Sequence, residues 1–354
     1  MMVLYINGRF FAEPFTGIQR YALEVLRCID RLVEKNQSVI LLMPPYVPCP
    51  ESFSRIKVRS CGYLTGNLWE QIELPFFSRN GFLLNLCNRA PLFKWRQTIV
   101  VYDAAICVTP DRFSWKFRVF LRILYFFLGQ NLRSLVTISE FSNAEICKWF
   151  HIVQEKVFVA YAGSEHIQRI HQDKQILSKH GLVRGQYIIS VGGTENKNIP
   201  MIVRALPYLQ DLDITFVITG KLNANFVRSL QDLDAVKVMG YVSDEALLAL
   251  YANAAGLVFP SLYEGFGIPP LEAMSVGCPV IVSDRASLPE ICGDAALYCD
   301  PLDEKDIAAR IREIVSDGLL SESLRSKGYE QVKKFSWIIA ARKILKQCGL
   351  DYTV

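Results

Sequence analysis

Residues 259–284 read FPSLYEGFGIPPLEAMSVGCPVIVSD. Two carboxylates, Glu264 and Glu272, flank the turn-forming GFGIPP segment. A short amphipathic helix (LEAMSVG) and a buried strand (PVIVS) follow. Pro269 and Pro270 belong at or just before a helix start, where a missing N–H costs nothing. That predicts Glu264 in the loop before the helix and Glu272 in its first turn. A helix N-terminus has unpaired N–H groups and a partial positive charge, so it favours an anion. Gly265 and Gly267 keep side chains out of a ligand's way. The segment therefore suits a phosphate-bearing ligand whose hydroxyls are accepted by two carboxylates, and a nucleotide sugar fits that description.

Working outward, β-like runs alternate with helical periods in both halves. The first half offers MVLYING, SVILLMP, FLLNLC, TIVVYD, SLVTIS and KVFVAYAG; the second offers YIISVGG, ITFVITGK, VKVMGYV, AGLVFPS and PVIVSD. Apolar strands without alternation, separated by helices such as IQRYALEVLRCIDRLVEK, predict parallel sheets covered on both faces. The fold class expected is α/β with two Rossmann-like domains. Expected boundaries are 1–165 for the first domain, 166–186 for a polar linker, 187–334 for the second, and 335–354 for a terminal helix returning to the first.

The chain has 354 residues, 51% hydrophobic and 21% charged, with a net charge of +4. Residues 1–165 hold 19 Lys and Arg against 13 Asp and Glu, and residues 166–354 hold 20 against 22. The first half is thus mildly basic, which suits an anionic membrane surface or simply a solvated face. Nothing in the pattern points to nucleic acid. The 10 cysteines form no C-x-x-C pair and no Cys/His cluster, so neither a zinc site nor a disulfide framework is expected. No signal peptide precedes MMVLYING, and a cytoplasmic protein is expected. Residues 113–128, FSWKFRVFLRILYFFL, are aromatic, apolar and basic, but too short and too interrupted by Arg118 and Arg122 to span a bilayer. They read as a helix packed in its domain or as an interfacial membrane-docking helix.

The E-x7-E arrangement in YEGFGIPPLEAMSVGCPVI resembles the donor-site signature of retaining glycosyltransferases of family 4, which have the GT-B fold. GIQRYALEVL (17–26), VTISEFSNAEI (136–146), VGGTENKNIP (191–200), GYVSDEALLALYANA (240–254) and LPEICGDAALYCDP (288–301) resemble further family blocks, in order. The resemblance implies two facing domains, the second holding a nucleoside-diphosphate sugar and the first an oligosaccharide or lipid-linked glycan acceptor. It points to bacterial O-antigen or capsule transferases, including mannosyl- and rhamnosyltransferases, peripheral on the inner face of the plasma membrane. It implies no cofactor and no metal.

Carried over residue by residue, the resemblance assigns Lys197 to the leaving diphosphate, Glu264 to the transferred sugar and Glu272 to the ribose hydroxyls. Gly193 lets the backbone approach the ligand, and Lys221 is a second cation for the same region. Gly265, Phe266, Gly267 and Ile268 line the donor with backbone, and Tyr241 and Val242 lie where relatives hold the base. Gly17, opening the first long helix, would face the donor, and Arg20 one turn in would face the acceptor. The family often has a His-Asp pair after the fourth strand. Here that place holds Tyr102-Asp103, so Tyr102 is an acceptor-side hydrogen-bond candidate and Asp103 a catalytic or loop-orienting one. Many relatives carry an arginine where this chain has Gly193 or Asn196, which shifts the demand for positive charge onto Lys197 or another cation.

None of the histidines at 151, 166, 171 and 180 falls in a family block, so none is expected to act as a base. The triplets Asp211-Leu212-Asp213 and Asp232-Leu233-Asp234 read as solvated turns. Other readings are a nucleotide-sugar epimerase of the same fold and a non-catalytic glycan-binding relative.

Overall fold

In the first half of the chain, seven strands form one sheet: β1 (Leu4–Asn7), β2 (Val39–Met43), β3 (Lys57–Ser60), β4 (Phe82–Asn85), β5 (Gln97–Val100), β6 (Leu135–Thr137) and β7 (Val157–Val159). Their order is β3-β2-β1-β4-β5-β6-β7. Six more form a second sheet: β8 (Tyr187–Val191), β9 (Thr215–Thr219), β10 (Val236–Gly240), β11 (Gly256–Phe259), β12 (Val280–Ser283) and β13 (Ala296–Cys299). Their order is β10-β9-β8-β11-β12-β13. Every pairing between these strands is parallel. The central strands are buried along their whole length, as parallel sheets covered by helices on both faces require.

This computed structural model describes residues 2–34, 36–223, 227–228, 230 and 235–351. The chain divides into two units, Met1–Ala162 with Ser336–Val354, and Gly163–Phe335. The expected pair of Rossmann-like folds is observed, with one strand more in each sheet than the sequence suggested. β3 was missed because KVRS is an exposed edge strand without an apolar run. β13 was missed because its four residues, ALYC, lie inside a segment read as a family block. Of the two Asp-x-Asp triplets, Asp232-Leu233-Asp234 lies outside the described residues. Asp211 is tied by a bidentate ion pair to Arg312 at 2.6 and 2.7 Å.

Residues 166–186, expected to be a linker, belong to the second unit. All but the first residue of the helical turn Glu165–Arg169 falls within them, as does a short helix, Ile176–Lys179. Ile176 and Leu182 are buried in the same core as Tyr187, Leu250 and Tyr251. Their few apolar side chains, widely spaced among polar ones, concealed this packing in the sequence.

The terminal helix, Trp337–Gln347, buries Trp337, Ala340, Ala341, Ile344 and Leu345. That three-and-four spacing places one apolar stripe on one face. The helix packs in the first unit against helix Gly17–Leu32. The Trp337 ring meets Tyr21 edge-on at 5.4 Å, and the Tyr21 hydroxyl donates to the Ala160 carbonyl at 2.8 Å. Replacing Trp337 by alanine empties a fully buried site, so Trp337→Ala is expected to destabilise the first unit by about 3–5 kcal/mol. Urea unfolding followed by tryptophan-independent circular dichroism checks this, and a midpoint equal to wild type would place the stabilisation of the first unit elsewhere.

Candidate active site

In a doubly wound sheet, ligands bind beyond the carboxyl ends of the strands where the strand order reverses. In the second sheet that point lies between β8 and β11, and the loops leaving these two strands carry Lys197 and Glu264. β8 runs into Gly192, whose φ of +103° is open to glycine at little cost. A Cβ there would fall 2.9 Å from the Lys197 Cγ, so the lysine stem lies against the bare glycine. The next residue, Gly193, is tighter still. A Cβ would fall 1.8 Å from the Lys221 carbonyl oxygen, so no side chain, least of all an arginine, fits there.

Lys197 ends the helical turn Glu195–Lys197. Its Nζ donates to Glu264 Oε1 at 2.7 Å and sits 4.3 Å from the centre of the Phe259 ring. Asn196 Nδ2 donates to the same Oε1 at 3.1 Å and to the Tyr263 carbonyl at 3.0 Å. The Ser261 hydroxyl is within hydrogen-bond reach of Oε1 and of the Asn196 carbonyl, and donates to one at a time. All three converge on Oε1. Among the described residues no hydrogen bond reaches Oε2, which leaves that oxygen for a ligand. Both partners of the ion pair are largely buried, and removing either leaves a desolvated charge, a loss of about 3–5 kcal/mol in buried pairs.

Asn198, the next residue, adopts a left-handed conformation (φ +57°) and donates to the Pro260 and Pro301 carbonyls at 3.2 and 2.6 Å. The Leu262 N–H donates to the Asn196 carbonyl at 2.8 Å. The loops after β8, β11 and β13 are thus stitched together by one short segment. Sequence reasoning treated Asn196 only as a missing arginine and did not single out Ser261 or Asn198. Asn198 had a legible signal, an Asn just before a helix containing an early proline.

Along the carboxyl edge, β10, β9, β8 and β11 bring Tyr241, Lys221, Lys197 and Glu264 into one row. Tyr241 is 81% exposed, and Val242 packs onto the core beneath. Lys221 is exposed after Gly220, whose amide donates to the Gly240 carbonyl.

The helix after Glu264 runs Ile268–Ser275 and is preceded by Gly267 at φ +101°. Glu272 is its fifth residue, so it lies beyond the first turn expected for it. Prolines fit the second and third helical positions as well as the first, because none of those N–H groups has an intrahelical partner. Ile268 contributes the first helical N–H; Pro269 and Pro270 contribute none. Phe266 is buried edge-on to Phe335 at 5.7 Å, and the Ser287 hydroxyl reaches the Glu264 and Phe266 carbonyls at 3.0 and 2.9 Å, clamping the segment through Gly265. Glu272 is 7% exposed, with Oε1 2.9 Å from His166 Nε2. Nothing in the sequence singled out His166.

In the first unit, Gly17 opens its helix with Thr16 as cap, and Gln19 Oε1 accepts from the Thr16 N–H at 3.1 Å. Arg20 stacks over Phe15 at 5.0 Å. Asp103 Oδ1 accepts from the Ala105 N–H at 2.9 Å, which orients its loop. Tyr102 corrects the sequence reading. It is buried, its hydroxyl lies 2.8 Å from the Leu86 carbonyl and 3.0 Å from that of Ile18, and burial pushes its pKa well above the usual value. The ring therefore ties the β5 loop to the start of helix Gly17–Leu32, and its proton is committed there.

The family described as glycosyl transferases group 1 matches residues 173–331. The chain is 34% identical to O-antigen chain mannosyltransferase B of Escherichia coli, over 92% of this chain and 93% of that one. It is 32% identical to O-antigen chain mannosyltransferase RfbU of Salmonella typhimurium, over 88% and 90%. The structure of Anabaena HepE in complex with UDP and glucose superposes with a TM-score of 0.73 at 15% identity, covering 98% of this chain and 99% of that one. At that identity the likeness speaks for the fold alone, which is GT-B.

The contact between Gly193 and Lys221 makes one substitution decisive. Gly193→Ala forces two loop backbones apart, and overpacking of this kind costs about 1–3 kcal/mol. The expected outcome is a lower Tm for the second unit in a calorimetric scan, and an unchanged Tm would mean that the two loops separate freely.

Proposed function

Because this chain belongs to the glycosyl transferases group 1 family and is a glycosyltransferase, we propose that it moves a hexose from a nucleoside-diphosphate sugar to a growing, lipid-linked surface polysaccharide, with retention of configuration. Mannose is the sugar named for its relatives. The observation that carries the reading is the Lys197–Glu264 pair at the switch point of the second sheet. As the sugar C–O bond to phosphate breaks, negative charge grows on the diphosphate, and a fixed, desolvated cation stabilises that charge. Glu264 Oε2 accepts from the sugar hydroxyls, holding the ring while the acceptor oxygen bonds to the anomeric carbon on the same face. The acceptor's proton passes to the departing phosphate oxygen. Glu272 holds the ribose diol, and Tyr241 and Val242 border the base. The nucleotide-sugar epimerase considered above gains nothing from these relatives.

The test is a screen of GDP-, UDP- and dTDP-sugars for transfer, with the anomeric configuration of the product read by NMR. Lys197→Ala is expected to lower kcat by about 10²–10³-fold, the scale of losing one oxyanion donor. Activity of the wild type is expected to persist in EDTA, since Lys197 serves where a metal otherwise would. A strict requirement for Mg²⁺ or Mn²⁺ would overturn the metal-free assignment, and inversion at the anomeric carbon would overturn the mechanism.

The acceptor reading draws on helix Trp115–Asn131, capped by Ser114. Its inner face buries Leu121, Leu124, Tyr125 and Leu128, so the expectation of a helix packed in its domain is met. Its outer face carries Trp115, Val119, Ile123, Phe126 and Phe127, all exposed, with Trp115 at 68%. Lys116 and Arg122 are exposed beside them. Among the described residues no helix is long and apolar enough to cross a membrane. An exposed aromatic and aliphatic row edged by cations fits the boundary layer of an anionic bilayer, which supports docking at the inner membrane face and a lipid-linked acceptor. Each surface cation contributes about 1 kcal/mol, screened by salt. Co-sedimentation with anionic vesicles is therefore expected to weaken with salt and to drop in a Lys116→Ala, Arg118→Ala, Arg122→Ala variant. Equal binding by variant and wild type, or binding by neither, would remove the membrane from the proposal.

A further inference from the structure

His166 lies 106 residues before Glu272 in sequence and is buried to 1% exposure in the helical turn Glu165–Arg169, near the start of the second unit. Its Nε2 is 2.9 Å from Glu272 Oε1. A carboxylate can only accept, so the imidazole nitrogen facing it carries the hydrogen. Glu272 sits in the second turn of its helix, off the favourable first turn, with most of its surface removed from water. A glutamate has three rotatable bonds, and a carboxylate left buried without a donor is costly. The contact from His166 removes both problems at once. It satisfies one oxygen, and it fixes the plane of the carboxylate before any ligand arrives.

We propose that His166 is a positioning residue for donor binding: it holds the Glu272 carboxylate in the orientation that accepts a ribose diol. This rests on the reading of Glu272 as the ribose contact. His166 itself touches no substrate and moves no proton in the reaction. Preorganisation of this kind lowers the ordering cost of binding. Because the ribose contact is the same in ground and transition states, losing it raises the donor KM and leaves kcat in place.

The experiment measures donor KM and kcat for Glu272→Ala, His166→Phe and His166→Gln, using the nucleotide sugar that the wild type turns over in the GDP-, UDP- and dTDP-sugar screen. Phenylalanine keeps the ring's shape and removes the N–H; glutamine places an N–H near the position of Nε2. A hydrogen bond to a charged group is worth enough that its loss predicts a donor KM about 10- to 100-fold higher in His166→Phe. Turnover is expected to stay within about 2-fold, and His166→Gln to recover most of the affinity. A donor KM at the wild-type value in His166→Phe, with Glu272→Ala impaired, would overturn the role of His166 and leave the ribose reading standing. A wild-type KM in Glu272→Ala would overturn the ribose reading and this proposal with it. Equal losses in His166→Phe and His166→Gln, accompanied by the same fall in Tm, would reduce the pair to a structural tie. Should His166→Phe fail to fold, His166→Asn replaces it, since its amide is too short to reach Oε1. Equal donor KM values for His166→Asn and His166→Gln would then overturn the proposal.

Discussion

The ion pair between Lys197 and Glu264 is the constraint around which the second unit's working edge is arranged. A cation and an anion that have both lost most of their water are tolerable only when geometry and further hydrogen bonds repay the loss. The surrounding sequence supplies them. Gly192 makes room for the lysine stem, Phe259 offers its ring face, and Asn196 and Ser261 complete the shell of Oε1. Asn198 then locks the β8 loop to the loops after β11 and β13. Without a ligand the pair is self-neutralising. On the proposed reading, a diphosphate beside Lys197 would compete with Glu264 for one cation while sugar hydroxyls would donate to the carboxylate, so each half of the ligand would compensate the partner the other half disturbs.

The first sheet has the same kind of switch point, between β1 and β4, and fills it differently. Asn7 Nδ2 donates to Glu70 Oε1 at 2.9 Å and to Asn85 Oδ1 at 3.1 Å, Asn85 continues to Gln97 at 2.9 Å, and Arg9 pairs with Glu70. All five side chains are buried. A network satisfied within itself rigidifies its surroundings, and here Asn85 and Gln97 also donate to the Thr98 and Pro91 carbonyls. On the proposed reading the donor binds at the second sheet's edge, where Glu264 at the switch point retains, among the described residues, an oxygen without a hydrogen bond.

What could be read from the sequence follows a physical line between local and non-local determinants. Buried parallel strands such as VILLM and VIVS announce themselves, because an unbroken apolar run has few other homes. Lys197 and Glu264 were legible because a glycine pair after one strand and a glycine-proline turn after another are local signals. The edge strand KVRS was not, since its identity depends only on pairing with β2. Neither was the fate of Tyr102, which turns on carbonyls of Ile18 and Leu86 that come near it only through the sheet order. The pairing of His166 with Glu272 is the extreme case. Nothing in the local sequence of either predicts it, and a polar segment around His166 reads as a connector until His166, Ile167 and Ile176 are seen to be buried.

The two prolines bear on how the proposed donor site would hold an anion. A helix N-terminus ordinarily binds an anion through several free N–H groups together with its dipole. Here the second and third positions are Pro269 and Pro270, so the helix Ile268–Ser275 keeps its dipole but has lost two of the donors that would deliver it. Gly193, pressed against the Lys221 carbonyl, excludes an arginine from the neighbouring loop. If a diphosphate binds here as proposed, backbone donors are thinned out on one side and an arginine is barred at position 193 on the other, so a side chain anchored nearby would supply the positive charge. The anchored cation that β8 supplies at this edge is Lys197, and the carboxylate that holds it in place is Glu264.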